Sequence, residues 1–192
     1  MGLYISIYIM ATKIWEETYL YPIRSILTNT KTSKTVIFLR GISGSGKSTI
    51  ANSLSRLLGP ENTTVCSADN YFIKDEIYRF ETSKLSEAHE ACARALKSAL
   101  GSSNIRYIIV DNTHTRMWHL YNTETLAKES GAEIHYLNIL VPDKEHLSIC
   151  VKRQIHCVPD HILVEQWLNW EEIPNSINIP MFVSEDEKFH LP

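Results

Sequence analysis

The sequence predicts an α/β fold, a parallel sheet flanked by helices. Apolar runs of strand length alternate with helical patterns along most of the chain. One glycine-rich loop, "RGISGSGKST" (Arg40–Thr49), sits between a strand and a helix. Two of the predicted strands end in a carboxylate, Asp69 and Asp111. In an open parallel sheet, ligands bind beyond the carboxyl ends of the strands. The three observations therefore place loop and carboxylates on one rim.

The elements follow in order. "TVIFLR" (Thr35–Arg40) is a continuous apolar strand feeding the loop. In the run after Ser48, Ile50, Leu54, Leu57 and Leu58 fall at helical spacing, and Gly59 ends the helix. "TTVCSAD" (Thr63–Asp69) reads as a second strand. "LSEAHEACARALKSALG" is an amphipathic helix with Leu85, Ala88, Cys92, Ala95, Leu96 and Ala99 on one face. "IRYIIVDN" is a third strand, "MWHLYNTETLAKESG" a helix, and "EIHYLNILV" a fourth strand. Asp143 caps a helix through "KEHLSICVKR", and Pro159 opens another that carries Trp167 and Trp170.

The expected organisation is an extension over 1–34, a domain over 35–173 and a C-terminal tail over 174–192. The extension alternates at Leu3, Ile5, Ile7 and Ile9, suggesting a strand, and turns weakly helical at "ATKIWEETYLY". The tail, with Pro174, Pro180 and an acidic "SEDEK", reads as poorly ordered.

Composition narrows the function classes. The chain has 192 residues, 44% of them hydrophobic and 21% charged, which suits one ordinary domain. A net charge of −3 does not advertise a nucleic-acid binder. The four cysteines, Cys66, Cys92, Cys150 and Cys157, form no C-x-x-C pair and read as reduced thiols of a cytoplasmic protein, a nuclear location being the alternative. No apolar run reaches the roughly 18 residues of a membrane span. Met1, Gly2 and Ser6 match the loose N-myristoylation pattern, with no basic cluster as a second anchor.

The loop fits G-x-x-x-x-G-K-[ST], with Gly41, Gly46, Lys47 and Ser48 in place. The backbone N–H groups from Ser43 through Gly44, Ser45 and Gly46 to Lys47 can wrap a β-phosphate, and the helix starting near Ser48 and Thr49 adds its positive end. Lys47 is then placed to reach the β- and γ-phosphates of ATP, and the Ser48 hydroxyl to ligate Mg²⁺. No N-K-x-D or D-x-x-G accompanies the loop, nor an L-S-G-G-Q, and the core is short for an AAA+ motor. What remains is a P-loop NTPase of the kinase type with a helical lid.

Asp69 is suited to orient an acceptor hydroxyl and take its proton; a turn cap is its structural alternative. Arg153, at the end of a helix in "CVKRQIHCVPD", reads either as a lid arginine closing on the phosphates or as a helix C-terminal cation. Asp111 is either a carboxylate holding Mg²⁺ through water or mainly structural. Asn112, Thr113 and His114 are candidate acceptor contacts. His114 reads as exposed.

Taken together, "RGISGSGKST", "SADNYF", "YRFETSKLSEAHEACARAL", "IIVDNTHT" and "VKRQIHCVPDHILVEQW" resemble the P-loop kinase module of the polynucleotide 5′-hydroxyl kinases, its single-domain eukaryotic branch more than the bacteriophage enzyme. The resemblance spans about Thr35 to Glu172. It implies ATP-dependent transfer to the 5′-OH of RNA or DNA, with Lys47 and Ser48 on nucleotide and metal, Asp69 as general base, Asn112 and Thr113 on the substrate and Arg153 in the lid. The chain departs from the phage-type pattern at Ala68 and Phe72, where arginines grip the acceptor phosphate, and at His156 and Cys157 in the lid. Arg79, Arg116 and Lys74 are candidate replacements. A small hydroxyl compound as acceptor, and a nucleotide-binding interaction module with little turnover, are the other readings.

Overall fold

The first core strand, β1 (Thr35–Arg40), is buried at all six positions, as expected of a run covered on both faces. The computed structural model describes residues 10–75, 77–154, 158–184 and 187. The expected strand at Leu3–Ile9, the Gly2 pattern, His156 and Cys157 lie outside them.

β1 leads through the glycine loop into α2 (Lys47–Leu58), preceded in the chain by α1 (Tyr21–Thr28). Residues 10–15 are helical and reach α1 through a π-helical turn, Glu16–Leu20. Pro22 opens α1 and has no N–H to donate, so the helix widens just ahead of it. β2 (Thr63–Cys66) follows, then a 3₁₀ turn, Ala68–Phe72. Asp69 therefore lies in this turn, beyond the strand the sequence extends to it. Next comes a hairpin absent from the sequence reading: β3 (Ile73–Lys74) pairs antiparallel with β4 (Ile77–Tyr78), turning through Asp75 at φ 50°.

The remaining elements are α3 (Leu85–Gly101), β5 (Tyr107–Asp111), a 3₁₀ turn Met117–Leu120 running into α4 (Tyr121–Glu129), β6 (Glu133–Leu140), α5 (Lys144–Arg153), α6 (Asp160–Leu168) and β7 (Ile177–Pro180). The Asp143 carboxylate accepts from the His146 N–H at 2.9 Å and caps α5, as predicted. Trp170 falls beyond the end of α6, so it does not share that helix with Trp167.

The sheet order is β2-β5-β1-β6-β7, and its strand pairs are parallel. This corrects the expected tail: Ile177–Pro180 is the fifth strand, paired with β6, and Ile179 and Met181 are buried. The segment is short and ends in Pro, which an edge strand tolerates.

Because successive strand side chains point to opposite faces, β1 feeds two cores. Ile37 and Leu39 pack with Leu20 and Leu27 near α1, Leu54 of α2 and Leu163 of α6. Val36 and Phe38 pack with Ala88, Cys92 and Leu96 of α3 and Ala127 of α4.

Arg40 ends β1 fully buried. Its Nε donates to the His114 carbonyl (2.9 Å), Nη1 to Asn138 Oδ1 (3.0 Å) and Nη2 to the Glu171 carbonyl (2.6 Å). Its guanidinium lies 4.5 Å over the Trp170 ring. One cation thus ties the ends of β1, β5 and β6 together where the loops begin.

His114 is a correction to the sequence reading. It is 2% exposed, and its Nδ1 lies 3.1 Å from the Leu39 carbonyl, which can only accept, so Nδ1 carries the proton. Burial drives its pKa down to about 3.

Candidate active site

The glycine loop adopts its shape because two positions have no side chain. Gly44 and Gly46 have φ of 78° and 97°, in the left-handed region. At Gly44 a Cβ would also stand 2.1 Å from the Cys150 carbonyl, so α5 presses directly on the loop.

The loop floors a cleft of about 820 Å³ at the carboxyl rim of the sheet. Ser43, Gly44, Ser45, Gly46, Lys47, Ser48 and Thr49 all line it. Gly41 does not; a Cβ there would meet Ser45 Oγ at 2.6 Å, so its part is close packing beneath the loop. The Lys47 ammonium donates to the Ile42 carbonyl at 2.9 Å. Desolvation lowers its pKa, while the charges of Asp111 and Asp69 oppose the shift. The Ser43 N–H donates to Gln166 Oε1 of α6 at 3.0 Å.

Asp69 and Asp111 both line the cleft with Lys47. The Asp69 turn is held twice: its N–H donates to Ser67 Oγ (3.2 Å), and the Tyr78 hydroxyl donates to its Oδ1 (3.0 Å). Burial raises the Tyr78 pKa, and the neighbouring Asp69 charge adds to that, so the phenol stays protonated as donor. Around Asp69 the wall is aromatic and apolar. Phe72 meets Tyr78 and Phe80 at centroid distances of 6.0 and 5.0 Å, and Leu85 and His89 complete it.

The expected substrate contacts divide. Asn112 and Thr113 line the cleft. Yet Asn112 Oδ1 accepts the Ala68 N–H (2.9 Å), its Nδ2 faces Cys92 Sγ (3.4 Å), and the Thr113 carbonyl accepts the Gly41 N–H (2.9 Å). In this arrangement Asn112 holds the Asp69 turn. Arg79, Arg116 and Lys74 do not line the cleft. The exposed Arg79 donates its backbone N–H to the Phe72 carbonyl, and the Arg116 guanidinium lies 4.0 Å from Glu165. Among the described residues, the cations named as candidate acceptor contacts thus lie off the cleft.

Arg153 does line the cleft, paired through two nitrogens with the Glu187 carboxylate. Ser184 donates its N–H (2.9 Å) and hydroxyl (2.8 Å) to the same carboxylate. Burial pushes the Glu187 pKa up, but the Arg153 and Ser184 bonds outweigh it and bring it to about 2.

Sequence reasoning missed Trp15, Glu16, Phe182 and Gln166, which also line the cleft. Trp15, Glu16 and Phe182 sit in no motif, and Gln166, inside the "VKRQIHCVPDHILVEQW" segment, carried no assigned role; their convergence depends on packing of segments distant in the chain. Tyr78 stood inside a quoted segment, but only its bond to Asp69 shows its part.

The architecture is shared with solved kinases and related proteins. Kti12 from Chaetomium thermophilum, solved with ADP-AlF₃, superposes with a TM-score of 0.55 at 15% identity, over 81% of this chain and 94% of that one. A gluconokinase from Sinorhizobium meliloti 1021 gives 0.54 at 15% identity, over 82% and 88%. The Pnkp1/Rnl/Hen1 complex gives 0.50 at 21% identity, over 68% of this chain and 41% of that one. At these identities the likeness is one of fold. No curated protein matches significantly. The profile of the AAA domain family matches residues 36–169, which hold the glycine loop, Asp69, Asp111 and Arg153. With a five-stranded, mostly parallel sheet built around that loop, the chain belongs to the AAA domain family, with the P-loop NTPase fold of the kinase type.

Proposed function

We propose that the protein is an ATP-dependent kinase that transfers the γ-phosphate to a 5′-hydroxyl of RNA or DNA. The observation that carries this reading is Asp69, braced by Tyr78, in one cleft with Lys47 and beside an aromatic wall. A binding module without turnover has no use for a braced carboxylate beside the lysine. The aromatic wall suits the terminal nucleoside of an acceptor, since ring faces stack on nucleobases whatever their sequence.

In the proposed reaction the Asp69 carboxylate accepts the proton of the acceptor hydroxyl as its oxygen bonds to the γ-phosphorus. The bond from that phosphorus to the β–γ bridging oxygen breaks, and ADP leaves with the electron pair. Lys47 balances charge on the β- and γ-phosphates. Arg153 would exchange Glu187 for the transferring phosphate, the lid role.

Ser48 and Asp111 both line the cleft, and a hydroxyl with a carboxylate is the hard oxygen set that Mg²⁺ takes, completed by phosphates and water. Bound there, Mg²⁺ would offset charge on the phosphate oxygens.

A second reading has its own support. Among the described residues, Lys47 and Arg153 are the lysine and arginine lining the cleft, and the wall around Asp69 is built of Phe72, Tyr78, Phe80, Leu85 and His89. That also fits a small neutral hydroxyl compound, such as a nucleoside.

Incubation of the protein and Mg²⁺ with γ-labelled ATP and 5′-OH RNA and DNA oligonucleotides tests the proposal, with Lys47→Ala as blank. Label on the 5′ end, missing with Lys47→Ala, is the expected result. ATP binding without labelled oligonucleotide, but with a labelled nucleoside, would replace it with the second reading.

A further inference from the structure

Two segments outside the family match, around Trp15 and around Phe182, line the same cleft as the glycine loop. Trp15 packs on the core that α1, α2 and α6 share, whereas Phe72 and Tyr78 pack on the core of the opposite sheet face. The cleft therefore crosses the rim from one face to the other, with the loop between. A triphosphate in the loop sends its γ end to Lys47 and Asp69. Its nucleoside end then runs past Thr49 along α2, toward Trp15.

What meets it there is a wall of complementary chemistry. The Trp15 and Phe182 rings stand edge to face, with centroids 6.2 Å apart at 75°. The Trp15 indole N–H is buried with no hydrogen-bond partner among the described residues. A buried donor left unpaired is unfavourable, and a ligand that brings an acceptor relieves it. Beside it the Glu16 carboxylate is fixed by Ser53 Oγ (2.5 Å) and Arg56 (2.7 Å), with its position already set before any ligand arrives.

We infer that Trp15, Glu16 and Phe182 form the nucleobase subsite for the purine of ATP, so that the segment ahead of β1 is part of the nucleotide site. Trp15 offers either a ring face for stacking or one N–H for a ring nitrogen of the purine. The Glu16 carboxylate accepts from an amino or ribose hydroxyl group. This rests on the nucleotide reading of the glycine loop.

Calorimetric titration with ADP and with inorganic tripolyphosphate separates the two ideas, because tripolyphosphate has no base. Trp15→Ala is expected to weaken ADP binding about tenfold or more while tripolyphosphate binds as to wild type. Trp15→Phe, which keeps a ring and removes the N–H, should fall between. Quenching of tryptophan fluorescence by ADP should shrink in Trp15→Phe. Unchanged ADP affinity in Trp15→Ala overturns the subsite and leaves the loop reading intact. Equal losses of ADP and tripolyphosphate also overturn it, since Trp15 would then act only through the fold. Wild-type protein that binds neither ligand overturns both.

Discussion

Asp69 reaches the cleft on a turn held by Ser67 beneath it, Asn112 on Ala68 and Tyr78 on its own carboxylate. With so much holding the position, an amide of the same shape changes chemistry more than structure. Asp69→Asn should lower kcat by about 10²-fold or more with nucleotide affinity unchanged, read by transfer kinetics beside an ADP titration. His114 makes a prediction of a different kind. Its folded pKa is about 3, against an ordinary 6.5. Between those values the unfolded chain holds a proton that the folded chain does not. Stability from this group is therefore full above pH 6.5 and falls as pH drops toward 3, by up to about 1.4 kcal/mol per pH unit. His114→Asn, which suits the local φ of 46°, should flatten that slope in denaturation series between pH 7 and 4. At this scale the glycine loop and the gathering of Asp69 and Asp111 in its cleft were legible, because the segments that follow parallel strands open onto one rim. His114 was not, because "NTHTR" is polar throughout and only the bonds from His114 to Leu39 and from Arg40 to the His114 carbonyl show why it lies inside.

Elements were legible where burial repeats over many residues. β1 and β5 are buried along their length, and α3 keeps Ala88, Cys92, Leu96 and Ala99 on one buried face. β7 has four residues, of which Asn178 is polar and Pro180 lacks a donor, so nothing local marks it as a strand. Its place comes from the open edge of β6 and from Ile179 and Met181, which fill the core beside Cys150. A chain ended at Pro174 would lose both side chains and bare that edge. The loss should be of the order of a large core truncation for each, about 2–5 kcal/mol, and the exposed edge should favour aggregation. Thermal unfolding and soluble yield of the shortened chain would check this. The hairpin β3–β4 was missed for a similar reason: two pairs of residues carry no periodicity, yet they bring Tyr78 to Asp69.

At the scale of the molecule, a net charge of −3 leaves little to attract a polyanion at long range if Lys47 and Arg153 serve the phosphates as proposed. An oligonucleotide acceptor held by stacking releases few counterions. Its affinity should therefore fall with salt at a log–log slope no steeper than about −2, measured across a potassium chloride series. A steep slope would mean that Arg79, Arg116 or Lys74 come into play after all. The order of the strands has a consequence for how the protein comes into being. Thr35 of β1 pairs with Tyr107 on one side and Glu133 on the other. The strand that carries the glycine loop is thus made early and stays without either neighbour until much of the chain has been synthesised. Closing such long loops is slow, and an apolar strand with two open edges is a hazard while it waits. On the ribosome, β1 should remain exposed until β6 emerges, and a chaperone that shields "TVIFLR" would act in that interval.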